Sequence, residues 1–388
     1  MAIGAIFIKN KGKAIIRLGK KSRCSWIKYI LFQVILFFYS GVLVLLWGSG
    51  TGNILVEDIA NFIILGIPVL FLLLEMIDNA EELMMILLAI SLFQCFIILL
   101  GISNNTIANI IDNSVFNQSV IHMGGYASMR EMGYPGGIAC IASKGVLQLS
   151  LGSLACVFFI LRDKRTLFNW IFFGIISVTM IAVARTGIII TFTLFVLIFI
   201  NMIFSKRKAQ LIGIISSFSI LFCLGIIMIN ICDMSQMMEK ITHVFRRVVD
   251  LIERGFYNSF FKWYLFGETT KIPELNWMSM IGIGITSGIS GNGIAVNVDG
   301  GFLRMYAALG LPAAVVYYWI SLKMLIKNIN IITQKQNKIV AIGFFLVLLI
   351  GEFKEFYFYT RYMIILFFIF TILCERDEKK QRIKVVKE

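Results

Sequence analysis

Proline and charge are the scarce things in this chain. Four prolines in 388 residues leave most apolar runs unbroken. Charged residues make up 15% against 59% hydrophobic, and the mean hydropathy is +0.86. A soluble domain is about half apolar, so composition excludes that class. The only two histidines, His122 and His243, stand far apart, which argues against a zinc site. Seven cysteines include no C-x-x-C pair, so neither a zinc nor a disulfide framework is expected, and they read as small apolar fillers. No A-x-A site follows the basic lead, so a cleavable signal peptide is not expected. No internal repeat stands out, which disfavours transporters built from two related halves.

What the chain does have is apolar runs of about 20 residues, each long enough to cross a bilayer as a helix. A barrel's alternating pattern is lacking, so helices are the remaining way to satisfy the backbone in lipid. The fold class expected is an all-α polytopic membrane protein with about ten transmembrane helices. The spans read as 28–47, 59–75, 83–102, 137–160, 167–184, 187–204, 211–230, 303–322, 339–352 and 361–374. All of 1–388 is taken as a single membrane domain.

The net charge of +14 raises nucleic acid as a partner, but its distribution does not fit. Eight bases from Lys9 to Lys28 precede the first span with no acid among them, and Arg376, Lys379, Lys380, Arg382, Lys384 and Lys387 follow the last. Such flanking charge is the positive-inside pattern, with anionic membrane lipid as its partner. The segments then assigned to the inside are 1–27, 76–82, 162–165, 206–208, 323–338 and 375–388. With Lys28 at the edge of the first span, they carry 24 of the 36 Lys and Arg. Both termini are expected in the cytoplasm. Segment 76–82 is the weak point, since it holds Asp78, Glu81 and Glu82 and no base.

The run 167–204 is about twice a single span and has Arg185 in its middle. A charge at mid-bilayer costs several kcal/mol, roughly 2.5–3.5 on insertion scales. A hairpin with Ala184-Arg185-Thr186-Gly187 at its outer tip removes that cost. Two longer connections, 103–136 and 231–302, fall on the outer face, and loops of that length usually carry function. Within the larger one, Met237, Ile241, Val244, Val248 and Leu251 recur at helical spacing, which predicts an amphipathic helix on the membrane surface. Residues 281–301 are rich in glycine and read as an irregular loop. Gly282–Gly288 superficially resembles a phosphate loop, but it lacks the strand and the lysine.

The outer face should be poor in bases if its loops are idle. It nevertheless holds Arg130, Arg185, Arg246, Arg254, Arg304, Lys354 and Arg361. A guanidinium is a planar fork that matches phosphate oxygens and stays charged. Several around one mouth would suit a lipid-linked diphosphate; pairing with headgroups or local acids is the plainer alternative. Asp299 and Arg304 bracket the start of a span. An arginine in a helix's first turn opposes the helix dipole, so its placement asks for another reason. A base beside a phosphate-binding cation would supply one, and an ion pair or cap would be the bland reading. Between the last two spans, Glu352, Lys354, Glu355 and Arg361 alternate with aromatics. An aromatic belt explains the tyrosines but not the charges.

Together these residues resemble the O-antigen polymerase/ligase superfamily (Wzy-type). Three local features carry the likeness, which covers about 160–376 in organisation. Ala184-Arg185-Thr186-Gly187 is similar to the family's small-Arg-Ser/Thr-Gly turn. Arg254 followed by Phe266-Gly267 is similar to its outer-loop pattern. Asp299-Gly300, Leu303-Arg304 and then Gly310 resemble its entrance motif. The ligase branch opens that motif with His, where this chain has Asp299. The resemblance implies a polymerase of undecaprenyl-diphosphate-linked oligosaccharide repeats in the bacterial cytoplasmic (inner) membrane. It implies Arg185 and Arg304 on the diphosphate and Asp299 as base or acceptor anchor. Arg130, Arg246, Arg254, Glu352, Lys354 and Arg361 would be further substrate binders. No metal or other cofactor is expected. A flippase and a chain-length regulator are the candidate protein partners. The product could be O-antigen, capsule or exopolysaccharide. The rival readings are an O-antigen ligase and a flippase or transporter of the same lipid-linked units.

Overall fold

A computed structural model describes residues 25–48, 51–103, 110, 143–164, 166–205, 277–291, 293–296, 300–354, 357–358 and 363–387. The chain divides into two units, Met1–Leu83 with Trp263–Glu388, and Met84–Lys262. Among the described residues six helices are long and apolar enough to cross a membrane.

In the first unit α1 spans Trp26–Trp47 and α2 spans Leu55–Met76, with a π-helical stretch at Phe62–Gly66 just before Pro68. Helix α3, Ala80–Ser103, starts in this unit and continues into the other. Its start accounts for the acidic segment 76–82. Asn79 Oδ1 accepts the Glu82 N–H at 2.8 Å, and Glu82 reaches back to the Asp78 N–H at 2.7 Å, which is a capping box. Acid there serves the helix terminus rather than topology.

In the second unit α4 (Ser143–Leu161), α5 (Thr166–Val183) and α6 (Arg185–Ser205) pack together, and α3 meets α4 where Ser91 donates to the Gln148 carbonyl at 3.2 Å. Small residues set the approach: a Cβ on Gly152 would strike Ser91 and come within 3.1 Å of Ile176. Cys95 and Cys156 are buried here, as apolar fillers would be. The expected hairpin is present between α5 and α6. The helix breaks at Ala184, and Gly187 donates to the Ala184 carbonyl at 2.9 Å. A side chain on Gly187 would strike Met180, so the chain turns back where only glycine fits.

The first unit then resumes with α7 (Trp277–Ile281), strand β2 (Ile285–Ile289) and strand β3 (Ala295–Val296). Within the run expected as an irregular loop, Ile285–Ile289 and Ala295–Val296 are therefore strands. Strand β1, Thr51–Ile54, pairs antiparallel with β2, which pairs antiparallel with β3. The glycines hid a buried alternation: Ile283, Ile285 and Val296 pack with Ala307, and Leu303 closes against them.

The single span expected at 303–322 is also corrected. Helix α8, Gly301–Leu309, stops at Gly310, and α9 runs Leu311–Ile331. Gly310 has φ 79 and ψ 161, a region essentially reserved for glycine, and Pro312 then opens α9. Phe302, eight residues before the break, lies 4.5 Å from Tyr318, eight after it, so α8 doubles back along α9. Nine residues rise about 14 Å, less than half the hydrocarbon thickness. Helix α10 spans Lys335–Lys354 and α11 spans Met363–Lys387. The expected span 361–374 is thus the apolar first half of a 25-residue helix, and the segment read as a tail continues it. The expected span 211–230 and the amphipathic helix at 237–251 lie outside the described residues.

The helix ends of the first unit gather in two places. At one end the Ser25 N–H donates to Asn328 at 2.9 Å, and Asp377 accepts the Ala80 N–H at 3.0 Å. Glu378 takes the amides of Thr333 and Gln334 at 3.0 and 2.8 Å. At the other end lie the sheet, the α8 start and the close of α10.

Candidate functional site

The site is built where α8, α9 and α10 meet. Helix α8 is held from both sides. The sheet covers Leu303 and Ala307. From α1, Tyr39 donates to the carbonyls of Ile281 and Leu309 at 2.7 and 3.1 Å, and the Trp47 indole donates to Gly282 at 2.9 Å. Gly282 and Gly310 lie back to back, so that a Cβ on Gly282 would come within 2.5 Å of the Gly310 nitrogen. At its start, Gly300 abuts the Phe353 carbonyl, which a Cβ there would meet at 2.8 Å.

This arrangement brings two of the expected site residues together. Arg304 sits half-buried in the first turn of α8, and Glu352 of α10 directly precedes Phe353, whose carbonyl Gly300 abuts. Glu352 is fully buried at 0% exposure. Its Oε1 accepts the Tyr318 hydroxyl at 2.7 Å and its Oε2 accepts the Phe358 N–H at 2.9 Å. Both oxygens are engaged by the protein itself, so in this conformation Glu352 braces the end of α10 rather than facing a ligand. Aromatics surround it: Phe302 lies 4.9 Å from Phe353, and Tyr318 lies 5.8 Å from Phe358. The Tyr357 ring covers Gly351, where any side chain would collide. An acid in such surroundings is tenable only with its oxygens satisfied, and here they are.

A second polar group lies deeper in the same bundle. Tyr29 and Gln33 of α1 face Tyr317 and Ser321 of α9, all four fully buried.

The other expected residues are placed less fully. Arg185 opens α6 in the second unit, and Lys354 closes α10. Arg130, Arg246, Arg254, Asp299 and Arg361 lie outside the described residues. Sequence reasoning missed Tyr318, Phe302 and Phe358. The signal for Tyr318 was a phenolic hydroxyl inside the apolar run 303–322.

Six long apolar helices among the described residues define a predominantly α-helical, multi-pass membrane protein. No family model, curated protein or solved structure matches the chain.

Proposed function

We propose that this protein polymerises undecaprenyl-diphosphate-linked oligosaccharide repeats at the outer face of the bacterial cytoplasmic membrane, with both termini inside. The observation that carries the reading is the position of Arg304. It stands half-buried on a helix too short to cross, whose start abuts the close of α10 at Phe353, at the end of the first unit away from its lysine-rich end. The reaction needs a cation on the departing diphosphate and a base on the acceptor. The acceptor hydroxyl forms a bond to the anomeric carbon and gives its proton to Asp299. The bond from that carbon to the phosphate oxygen breaks, and the lipid diphosphate leaves with the electron pair. Arg304 and Arg185 offset its charge. Arg130, Arg246, Arg254, Lys354 and Arg361 hold the lipid-linked units. Glu352 acts from behind, through Tyr318 and the 357–358 turn.

One observation favours a rival. An ionisable residue buried within a span is a common mark of transport, and Glu352 is one. Purified protein given lipid-linked repeats in detergent separates the readings, since detergent leaves no membrane to cross. A polymerase makes a ladder of products there and a flippase makes none. A ligase would move glycan only to a different acceptor. The Arg304→Ala and Arg185→Ala variants should each lose the ladder; wild-type yield and chain length in both would end the assignment.

A further inference from the structure

Helix α9 buries one face and leaves the opposite one bare. Tyr317, Ser321, Leu325 and Asn328 are buried, at spacings of four, four and three. The exposed face carries Val315, Trp319, Lys323 and Lys327 at spacings of four, with Val316 and Ile326 beside them. Trp319 is 70% exposed. One stripe of a single helix is thus apolar along its first half and cationic along its second.

Packing sets the depth of the two cations. Asn328 accepts the Ser25 N–H at 2.9 Å, which puts Lys327 level with the start of α1, where that helix's apolar span begins at Trp26. Lys323 lies one turn further in, about 6 Å along the axis. Neither lysine has an ion pair or hydrogen bond among the described residues. The acids of α11 at that end are committed elsewhere. Glu375 holds Lys379 at 2.7 Å, Asp377 takes the Ala80 N–H, and Glu378 takes the amides of Thr333 and Gln334.

We infer that this stripe is a binding site for an anionic phospholipid. Its phosphate lies between Lys323 and Lys327, and an acyl chain runs along Trp319 and Val315. Lysine is a compact charge on a flexible apolar stem, so its head reaches the headgroup layer while its stem stays on the helix. Side chains one turn apart on a helix face stand about 5–6 Å apart, within reach of one phosphate. A packed transmembrane helix is the rival occupant. Helix pairs in lipid approach across small residues, whereas this face offers tryptophan, valine and isoleucine. The site concerns lipid binding and does not depend on the polymerase reading.

Photocrosslinking tests it. p-Benzoylphenylalanine replaces Trp319 in the full chain, with Val315 as a second probe position and Phe38 of α1, 67% exposed, as control. Each variant that elutes as a monodisperse peak goes into nanodiscs of equal phosphatidylglycerol and phosphatidylcholine, with one lipid radiolabelled at a time. The ratio of phosphatidylglycerol to phosphatidylcholine labelling at 319 should exceed that at 38 by about tenfold or more, as two bases near an anionic headgroup would give. Lys323→Gln and Lys327→Gln should each lower it about fivefold, the worth of one base there, and leave the ratio at 38 unmoved. Equal ratios at 319 and 38, or a ratio at 319 that ignores both lysine variants, is ordinary bilayer contact and overturns the inference. Crosslinking to a second copy in the nanodisc, or to another protein in native membranes, in place of lipid puts a polypeptide on this face and overturns it as well.

Discussion

Tyr318 and Glu352 join α9 to α10 through one hydrogen bond of 2.7 Å, made across 34 positions of sequence. The carboxylate spends its other oxygen on the Phe358 N–H. A buried acid held this way fixes three pieces of chain at once, and Phe302 of α8 rests on the same tyrosine ring.

Tyr318→Phe removes the hydroxyl and keeps the ring. It should destabilise the protein by about 1–3 kcal/mol, because one buried carboxylate oxygen loses its donor. Glu352→Ala, which strands both donors, should cost more. Thermal unfolding in detergent measures both; a neutral Tyr318→Phe would show that the bond contributes nothing.

Gly310 and Gly293 share φ 79 but not their surroundings. A Cβ at 310 meets Ile281 at 2.6 Å, whereas one at 293 meets nothing within 4 Å. Gly293→Ala should therefore cost only the backbone term, about 1–2 kcal/mol. Gly310→Ala should exceed it clearly and lower expression. Equal effects would mean that the crossing of 282 and 310 is not tight.

Tyr39 gives its hydroxyl to two carbonyls at the junction of α7 and α8. Tyr39→Phe should cost about 0.5–1.5 kcal/mol, the net worth of an ordinary hydrogen bond. Because those carbonyls position α8, protease sensitivity at 277–310 should rise in the same variant. Unchanged cleavage would separate α1 from the placement of that helix.

Glu378 caps the turn that starts α10, while Lys380, two residues on, is exposed. Glu378→Ala should lose about 0.5–2 kcal/mol, as cap removals do. Lys380→Ala should stay within about 0.5 kcal/mol. Denaturation of the two side by side decides whether the acids of α11 act as caps.

Much of the membrane architecture was legible because hydrophobic length is a local signal. Each of the long helices Trp26–Trp47, Leu55–Met76, Ala80–Gly101 and Thr186–Ile203 falls on a segment that apolar run length alone marks out. The Ala184–Gly187 turn was legible too, since a charge in the middle of a double-length run has few other solutions. The break at Gly310 was not. The run 303–322 is apolar throughout, and nothing within it announces that Gly282, distant in sequence, will press against residue 310. The sheet was hidden for a related reason: glycines at 282, 284 and 288 thin out the alternation that marks a strand, and β1 lies far away in the chain. Of the site, charge identified Arg304 and Glu352 as residues of interest. Their separate fates, one half-exposed and one sealed among rings, depend on Tyr318 and Phe358 and could be read only from packing.

The second half of α11 resembles a dispensable extension, the sort of polar terminus trimmed to improve behaviour in detergent. Its carboxylates say otherwise. Cutting after Cys374 would take Asp377 from the first amide of α3 and Glu378 from the entrance to α10, which unseats two neighbouring helices in one step. Affinity tags and fusion partners therefore belong beyond Lys387, with the whole of α11 left intact.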